Sequence, residues 1–310
     1  APIFQILDTT SRRLPNMLQE KEPLATRSSV IQYKKLRKSP STPQVEVQKY
    51  EVLKEVITTF HTEKCEPILW AELANTPPPF TGEIGPNETK IKTQIKNYKP
   101  TWRDRLFNRV EARIQYWKGL IPEERQKDAQ LMELWKEQKQ LAERILANDP
   151  NAWVHAIKMA QPSKEVTAYK NQIDYYISPN QTMIANVKLN HDVVLDTKYS
   201  LTKTGKLSKR NMPKKEYYQL FQQYTYSCFS RVAIDIFDTL PIDTVLIHID
   251  AYSTADEGYG CILSAKVHRE DIVGIRNYPA EQLEAVIEKL EHQQKFLKTK
   301  GFKVIKEVTE

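Results

Sequence analysis

The sequence predicts an α+β protein. A helical N-terminal half with a coiled-coil-like helical hairpin precedes a C-terminal mixed β-sheet whose helices lie mainly on one face. Three observations predict it. In residues 45–73 and 102–147 apolar side chains recur every three or four positions, the period of a helix with one buried stripe. From residue 166 onward, short β-branched and aromatic runs alternate with helical stretches in the order β-β-α-β-β-α-β, a pattern that one sheet covered by helices satisfies. The chain has 310 residues, 40% hydrophobic and 27% charged, which is globular composition in enough chain to bury one large core or two ordinary ones.

Residues 1–44 show no sustained periodicity and end in Lys34-Lys35-Leu36-Arg37-Lys38-Ser39-Pro40-Ser41-Thr42-Pro43, so a flexible basic tail or linker is expected there. Val45 to about Leu73 places Val52, Val56 and Phe60 on one helical face, with a break expected near Pro67. Pro77-Pro78-Pro79 ends that helix, because consecutive prolines lack the amide donors a helix requires. Trp102 to Ala147 carries Leu106, Val110, Ile114 and Trp117, then Leu131, Leu134, Leu141 and Ile145, at coiled-coil-like spacing around Gly119–Pro122. Two antiparallel helices or one long kinked helix satisfy this spacing, with Pro122 at an N1 position in the first case. Asn148-Asp149-Pro150 reads as a cap followed by an N1 proline and opens a helix to about Ala160.

Strands are expected at 175–177, Met183 to Leu189 and Asp192 to Leu201, with Lys203-Thr204-Gly205-Lys206 as a hairpin turn. Pro213 to Leu240 is a long helix. Thr244 to Tyr252 and Gly260 to His268 are strands, Ala280 to Leu297 a terminal helix ended by Gly301, and Phe302 to Val308 a last strand. The resulting domains are 1–44, 45–165 and 166–310.

Composition excludes several classes. No apolar run approaches the roughly 20 residues of a membrane span. With Gly 8, and neither GxGxxG nor GxxxxGK[ST], phosphate-cradling loops of the common nucleotide enzymes are absent and no organic cofactor is expected. Cys65, Cys228 and Cys261 are too few and too scattered for a disulfide framework or a CxxC zinc site, and they read as small core residues in a reducing compartment. Residues 1–13 lack the apolar stretch of a signal peptide, so the expected location is cytoplasmic. The opening Ala1 implies a processed N-terminus or a fragment of a longer product.

Several runs resemble a group of uncharacterised bacterial proteins of unknown function. They are Ser200-Leu201-Thr202-Lys203-Thr204-Gly205-Lys206-Leu207-Ser208, Met212-Pro213-Lys214 ahead of a Tyr-rich helix, Cys261-Ile262-Leu263-Ser264-Ala265-Lys266-Val267 and Phe296-Leu297-Lys298-Thr299-Lys300-Gly301-Phe302. Asn97-Tyr98-Lys99-Pro100 before a charged helix fits the same group, so the resemblance covers roughly residues 45–310. Longer members carry a small glycine-rich β-domain ahead of this region. The resemblance implies a bacterial or phage origin and transfers no catalytic residue.

Charge is distributed unevenly. Seven basic residues and no acid lie between Lys198 and Lys215 (Lys198, Lys203, Lys206, Lys209, Arg210, Lys214 and Lys215), and five more lie between Arg27 and Lys38. Those twelve cations sit in a chain of net charge +7, so the remainder carries a net −5. A basic turn leading into a helix N-terminus suits phosphate, which points to DNA or RNA, or to an acidic partner; a solvated lysine turn is the plainer reading. Tyr217, Tyr218, Tyr224, Tyr226 and Phe229 offer stacking surfaces beside it, although their 3/4 spacing fits a core equally.

Strand alternation places His248 and Asp250 on one face of their strand, and Ser264, Lys266 and His268 on one face of the next. If those faces coincide, the set invites comparison with PD-(D/E)xK nucleases, in which two acids and a lysine hold a divalent metal that activates water. Asp250 would then be the metal ligand for magnesium or manganese. Ser264 stands where the second acid belongs, so Asp256 or Glu257 would have to substitute. The leading expectation is a non-enzymatic accessory protein that uses the basic turn. A degenerate metal-dependent nuclease is the first alternative. The second is a protein-binding subunit of a bacterial assembly whose amphipathic helices contact other subunits.

Overall fold

The computed structural model describes residues 28–63 and 66–310, so the expectations for residues 1–27 and for Cys65 lie outside the described residues. It has the α+β architecture expected, with a helical N-terminal half and a mixed five-stranded sheet toward the C-terminus. The chain divides into two compact units, one of residues 69–147 and one of residues 28–68 with 148–310, rather than at residues 44 and 165.

The basic stretch expected as linker forms helix α1 (Ser28–Arg37). It is held because Leu36 is buried and the Tyr33 ring stacks on Tyr169 at 6.4 Å. Helix α2 (Pro43–Thr58) begins with Pro43 in its first turn and Thr42 as cap, whose hydroxyl accepts from Val45 N. It buries Tyr50, Val52, Val56 and Ile57 and stops at Thr58, well short of Leu73. At that end the hydroxyls of Thr58 and Thr59 donate back to carbonyls of the preceding turn, competing with the backbone ladder.

The unit of residues 69–147 holds α3 (Trp70–Ala74), α4 (Pro86–Lys96), α5 (Trp102–Leu106) and α6 (Val110–Leu146). The expected helical hairpin is one continuous helix of 37 residues, about 55 Å long. Pro122 lies inside it rather than at an N-terminus, and the seam packs against α3 and α4 instead of against a second half of itself. An interior proline costs a helix about 3 kcal/mol, which burial of Leu131, Ala142 and Ile145 helps to offset.

Helix α4 was not apparent from periodicity, and its start is organised from outside. Gly85 caps it without a side chain. Asp128 of α6 supplies the acceptor, taking hydrogen bonds from Asn87 N (3.0 Å), Asn87 Nδ2 (2.8 Å) and Glu88 N (2.9 Å). Beside it, Glu88 is clamped by Arg125 (2.8 Å) and Lys92 (2.8 Å), which hold its carboxyl down at about 2.

In the larger unit, α7 (Pro150–Ala160) starts at Asp149 as the sequence implies. After the short α8 (Lys164–Thr167) come β1 (Gln172–Ile177) and β2 (Met183–Lys188), then β3 (Thr197–Leu201) and β4 (Leu207–Asn211). Helix α9 (Lys214–Thr239) leads to β5 (Thr244–Ser253) and β6 (Gly258–His268). The main sheet runs β1-β2-β5-β6 and ends on β7 (Glu291–Gln294), with β2 and β5 parallel and the other neighbours antiparallel. A parallel pair needs a long crossover, and α9 lies within it. β3 and β4 form a separate two-stranded ladder outside the main sheet.

Helix α9 is the centre of the core and is buried almost all round. Tyr224, Cys228, Val232 and Ile236 are inaccessible to solvent, and so are Thr225, Ser227 and Asp235 on its other faces. Those polar groups find internal partners. Ser227 Oγ lies 3.2 Å from His61 Nδ1, and Arg231 Nε donates to Asp235 Oδ2 at 2.8 Å.

The expected terminal helix over 280–297 is confined to α10 (Leu283–Ile287). Residues 291–294 instead close the open edge of β6, where an edge strand tolerates their polar side chains. A small hairpin of β8 (Phe296–Leu297) and β9 (Gly301–Phe302) follows in place of a strand reaching Val308. Residues beyond it return to β6, with Ile305 N donating to Cys261 O and Val308 N to Ser264 Oγ, both at 2.8 Å.

Candidate nucleic-acid interface and a histidine-centred cluster

The basic residues sit on a built hairpin. β3 and β4 pair Lys198 with Arg210 and Tyr199 with Lys209. The tip is closed by Thr202 N to Lys206 O (2.8 Å) and Gly205 N to Thr202 O (2.9 Å), and Gly205 takes the left-handed φ of +77° that this turn demands. The Thr202 hydroxyl also accepts from Lys206 N. At the base, Met212 N donates to Asp196 O, and Tyr199 stacks on Tyr50 of α2 at 5.5 Å.

Lys203, Lys206, Lys209, Arg210, Lys214 and Lys215 are exposed, and among the described residues no acid lies within ion-pair distance of any of the six. Lys198 differs, being half-buried and paired with Glu216 at 2.5 Å. Lys209 sits 5.1 Å over the Tyr199 ring. Lys214 and Lys215 occupy the first turn of α9, where the helix dipole disfavours cations. Of the proposed stacking aromatics, Tyr224, Tyr226 and Phe229 are core residues, whereas Tyr217 and Tyr218 are half-buried just after Lys215, their rings 5.3 Å apart, with the Tyr218 hydroxyl 2.8 Å from that of Thr254. Cys228 is buried, and burial pushes its thiol up.

The four residues grouped as a nuclease centre do not converge. Lys266 lies opposite Leu246 and His268 opposite Thr244, whose hydroxyl is 2.9 Å from His268 Nδ1 at the far end of the strand. Asp250 lies opposite Cys261, five residues along β6 from Lys266, a separation of about 17 Å at strand rise. One metal cannot join Asp250 to Lys266. Asp256 is committed to the chain after β9, accepting from Val304 N at 2.7 Å and pairing with Lys303 at 3.3 Å.

His248 and Asp250 meet other residues. A β-bulge between Ile249 and Asp250 shifts the register so that Cys261 rather than Ile262 faces Asp250. His248 is buried, with Nδ1 2.9 Å from Ser264 Oγ. Its Nε2 lies 4.0 Å from Glu307 Oε2, brought there by the segment that returns to β6. Ligand atoms of His248, Cys261 and Glu307 all fall within 4.8 Å of one another. Burial lowers the His248 imidazole against the pull of Glu307 and Asp250. Burial and the same two carboxylates raise the Cys261 thiol to about 12. Cys261 and Glu307 were not apparent as partners of His248, because only the bulge and the returning segment bring them there.

Among the described residues no helix is long and apolar enough to cross a membrane. Comparison with protein-family models, with curated proteins and with solved structures found no match to this chain.

Proposed function

We propose that this chain is a non-enzymatic nucleic-acid-binding protein whose contact element is the β3–β4 hairpin together with the first turn of α9. One observation carries the reading: four exposed cations on a hydrogen-bonded hairpin and two more in the first turn of α9, none within ion-pair distance of an acid among the described residues. Phosphate would relieve the conflict between Lys214, Lys215 and the dipole of α9. Exposed cations suit backbone phosphate, so binding should tolerate changes of sequence. A cytoplasmic setting belongs to this reading and is supported by two buried free thiols, Cys228 and Cys261.

Fluorescence anisotropy with labelled single- and double-stranded DNA and RNA tests it. With four to six phosphates neutralised, affinity should fall on the order of 10²–10³-fold between 50 and 200 mM salt. The triple variant Lys203→Glu, Lys206→Glu, Arg210→Glu should flatten that slope. Binding that is absent, or that ignores salt, rejects the proposal.

A second reading, a subunit that docks on other proteins, is favoured by the 69–147 unit. Its Trp102, Leu106, Phe107 and Tyr116 side chains are all at least 60% exposed around α5 and the start of α6. Trp102→Asp with Phe107→Asp should abolish any self- or hetero-association seen by size-exclusion chromatography and leave nucleic-acid binding intact.

A further inference from the structure

We infer that His248, Cys261 and Glu307 form a binding site for a single transition-metal ion of the zinc type. The three residues offer nitrogen, sulfur and oxygen atoms within 4.8 Å of one another, and this mixed donor set is the one borderline-soft divalent ions select over magnesium or calcium. Tetrahedral coordination at about 2.0–2.3 Å needs donor separations near 3.5 Å, so contraction of a few tenths of an ångström from the 4.0 Å between His248 Nε2 and Glu307 Oε2 completes that edge. A fourth position is left for water.

The surroundings suit such an ion. Ser264 Oγ already accepts a hydrogen bond from Val308 N, and it lies 2.9 Å from His248 Nδ1. Donation by Nδ1–H to that hydroxyl leaves Nε2 with its lone pair toward Glu307, which is the metal-binding tautomer fixed by an outer partner. Asp250, opposite Cys261 on the neighbouring strand, adds a further negative charge beside the site. A divalent cation would balance the two carboxylates and convert the thiol to the thiolate it binds, releasing one proton. Coordination would also tie the segment ending at Val308 to the sheet, linking Glu307 to β5 and β6.

The test uses the full chain, stripped with a chelator and titrated with cobalt(II). One equivalent should produce a thiolate-to-cobalt charge-transfer band in the near ultraviolet, which zinc displaces and magnesium does not. Cys261→Ser should remove the band, although Cys228 and Cys65 remain. Glu307→Gln, at an exposed position that folding tolerates, should weaken cobalt binding at least about tenfold. No band at stoichiometric cobalt, a band that survives Cys261→Ser, or unchanged affinity in Glu307→Gln overturns the inference. None of these results bears on nucleic-acid binding by the hairpin, which involves separate residues.

Discussion

Substituting Gly85 should have opposite effects in two backgrounds. A Cβ at Gly85 would lie 2.2 Å from Asp128 Cγ and 2.5 Å from both its Cβ and Oδ2, so the carboxylate that caps α4 occupies the space a side chain would need. The backbone there, at φ −79° and ψ 174°, is ordinary capping geometry that serine adopts freely. Gly85→Ser in the native chain should therefore destabilise α4 by about 2 kcal/mol through overpacking. Asp128→Gly removes three hydrogen bonds to a buried charged acceptor and a dipole interaction of up to about 2 kcal/mol, and it places glycine inside α6. The expected loss is about 4 kcal/mol. With Asp128→Gly in place, the same Gly85→Ser change should stabilise by about 1 kcal/mol, because the space is vacant and serine supplies its own cap. Hydrogen exchange of the α4 amides reads these values locally, each 1.4 kcal/mol being tenfold in protection. If serine destabilises equally in both backgrounds, the account of Asp128 as an external cap is wrong.

Glu88 makes the same unit acid-sensitive. Because Arg125 and Lys92 depress its carboxyl from 4.5 to about 2, its contribution is fully present above pH 4.5 and is lost as pH falls toward 2. Thermal melts followed by circular dichroism should show that loss, and Glu88→Gln should flatten it. In the larger unit, Arg231→Met would leave the fully buried Asp235 carboxylate with Ser163 as its remaining side-chain partner and should cost about 3–5 kcal/mol in urea unfolding. Adding Asp235→Leu should recover most of that cost; a double variant no more stable than the single one would count against the buried pair.

Much of the fold was legible in local chemistry. The cap at Asp149, the long helix before Pro241, the strands β5 and β6 and the basic turn at Gly205 each follow from a residue type acting on its own backbone. Elements decided by distant neighbours were not legible. Residues 34–37 look like linker until Leu36 and Tyr33 find partners, and residues 291–294 look helical until the open edge of β6 recruits them. Helix α4 carries little periodic signal because its start depends on Asp128, 40 residues beyond Glu88.

The candidate sites divide in the same way. The hairpin cations are adjacent in sequence, so their clustering was apparent there, and the ladder added only that Lys198 is neutralised by Glu216. For His248 and Asp250, alternation correctly put both on one face, yet it implied partners at Lys266 and His268 that the register holds far along the strand. Sequence by itself determined the α+β class, the helix and strand identities with strong local signals, and the basic hairpin. Only the tertiary structure decided that α6 is continuous, that a bulge turns Cys261 toward Asp250, and that the final segment carries Glu307 to His248. The physical reason is that caps, turns and periodicity act over a few residues, whereas register shifts and edge pairing depend on backbone groups supplied by remote parts of the chain.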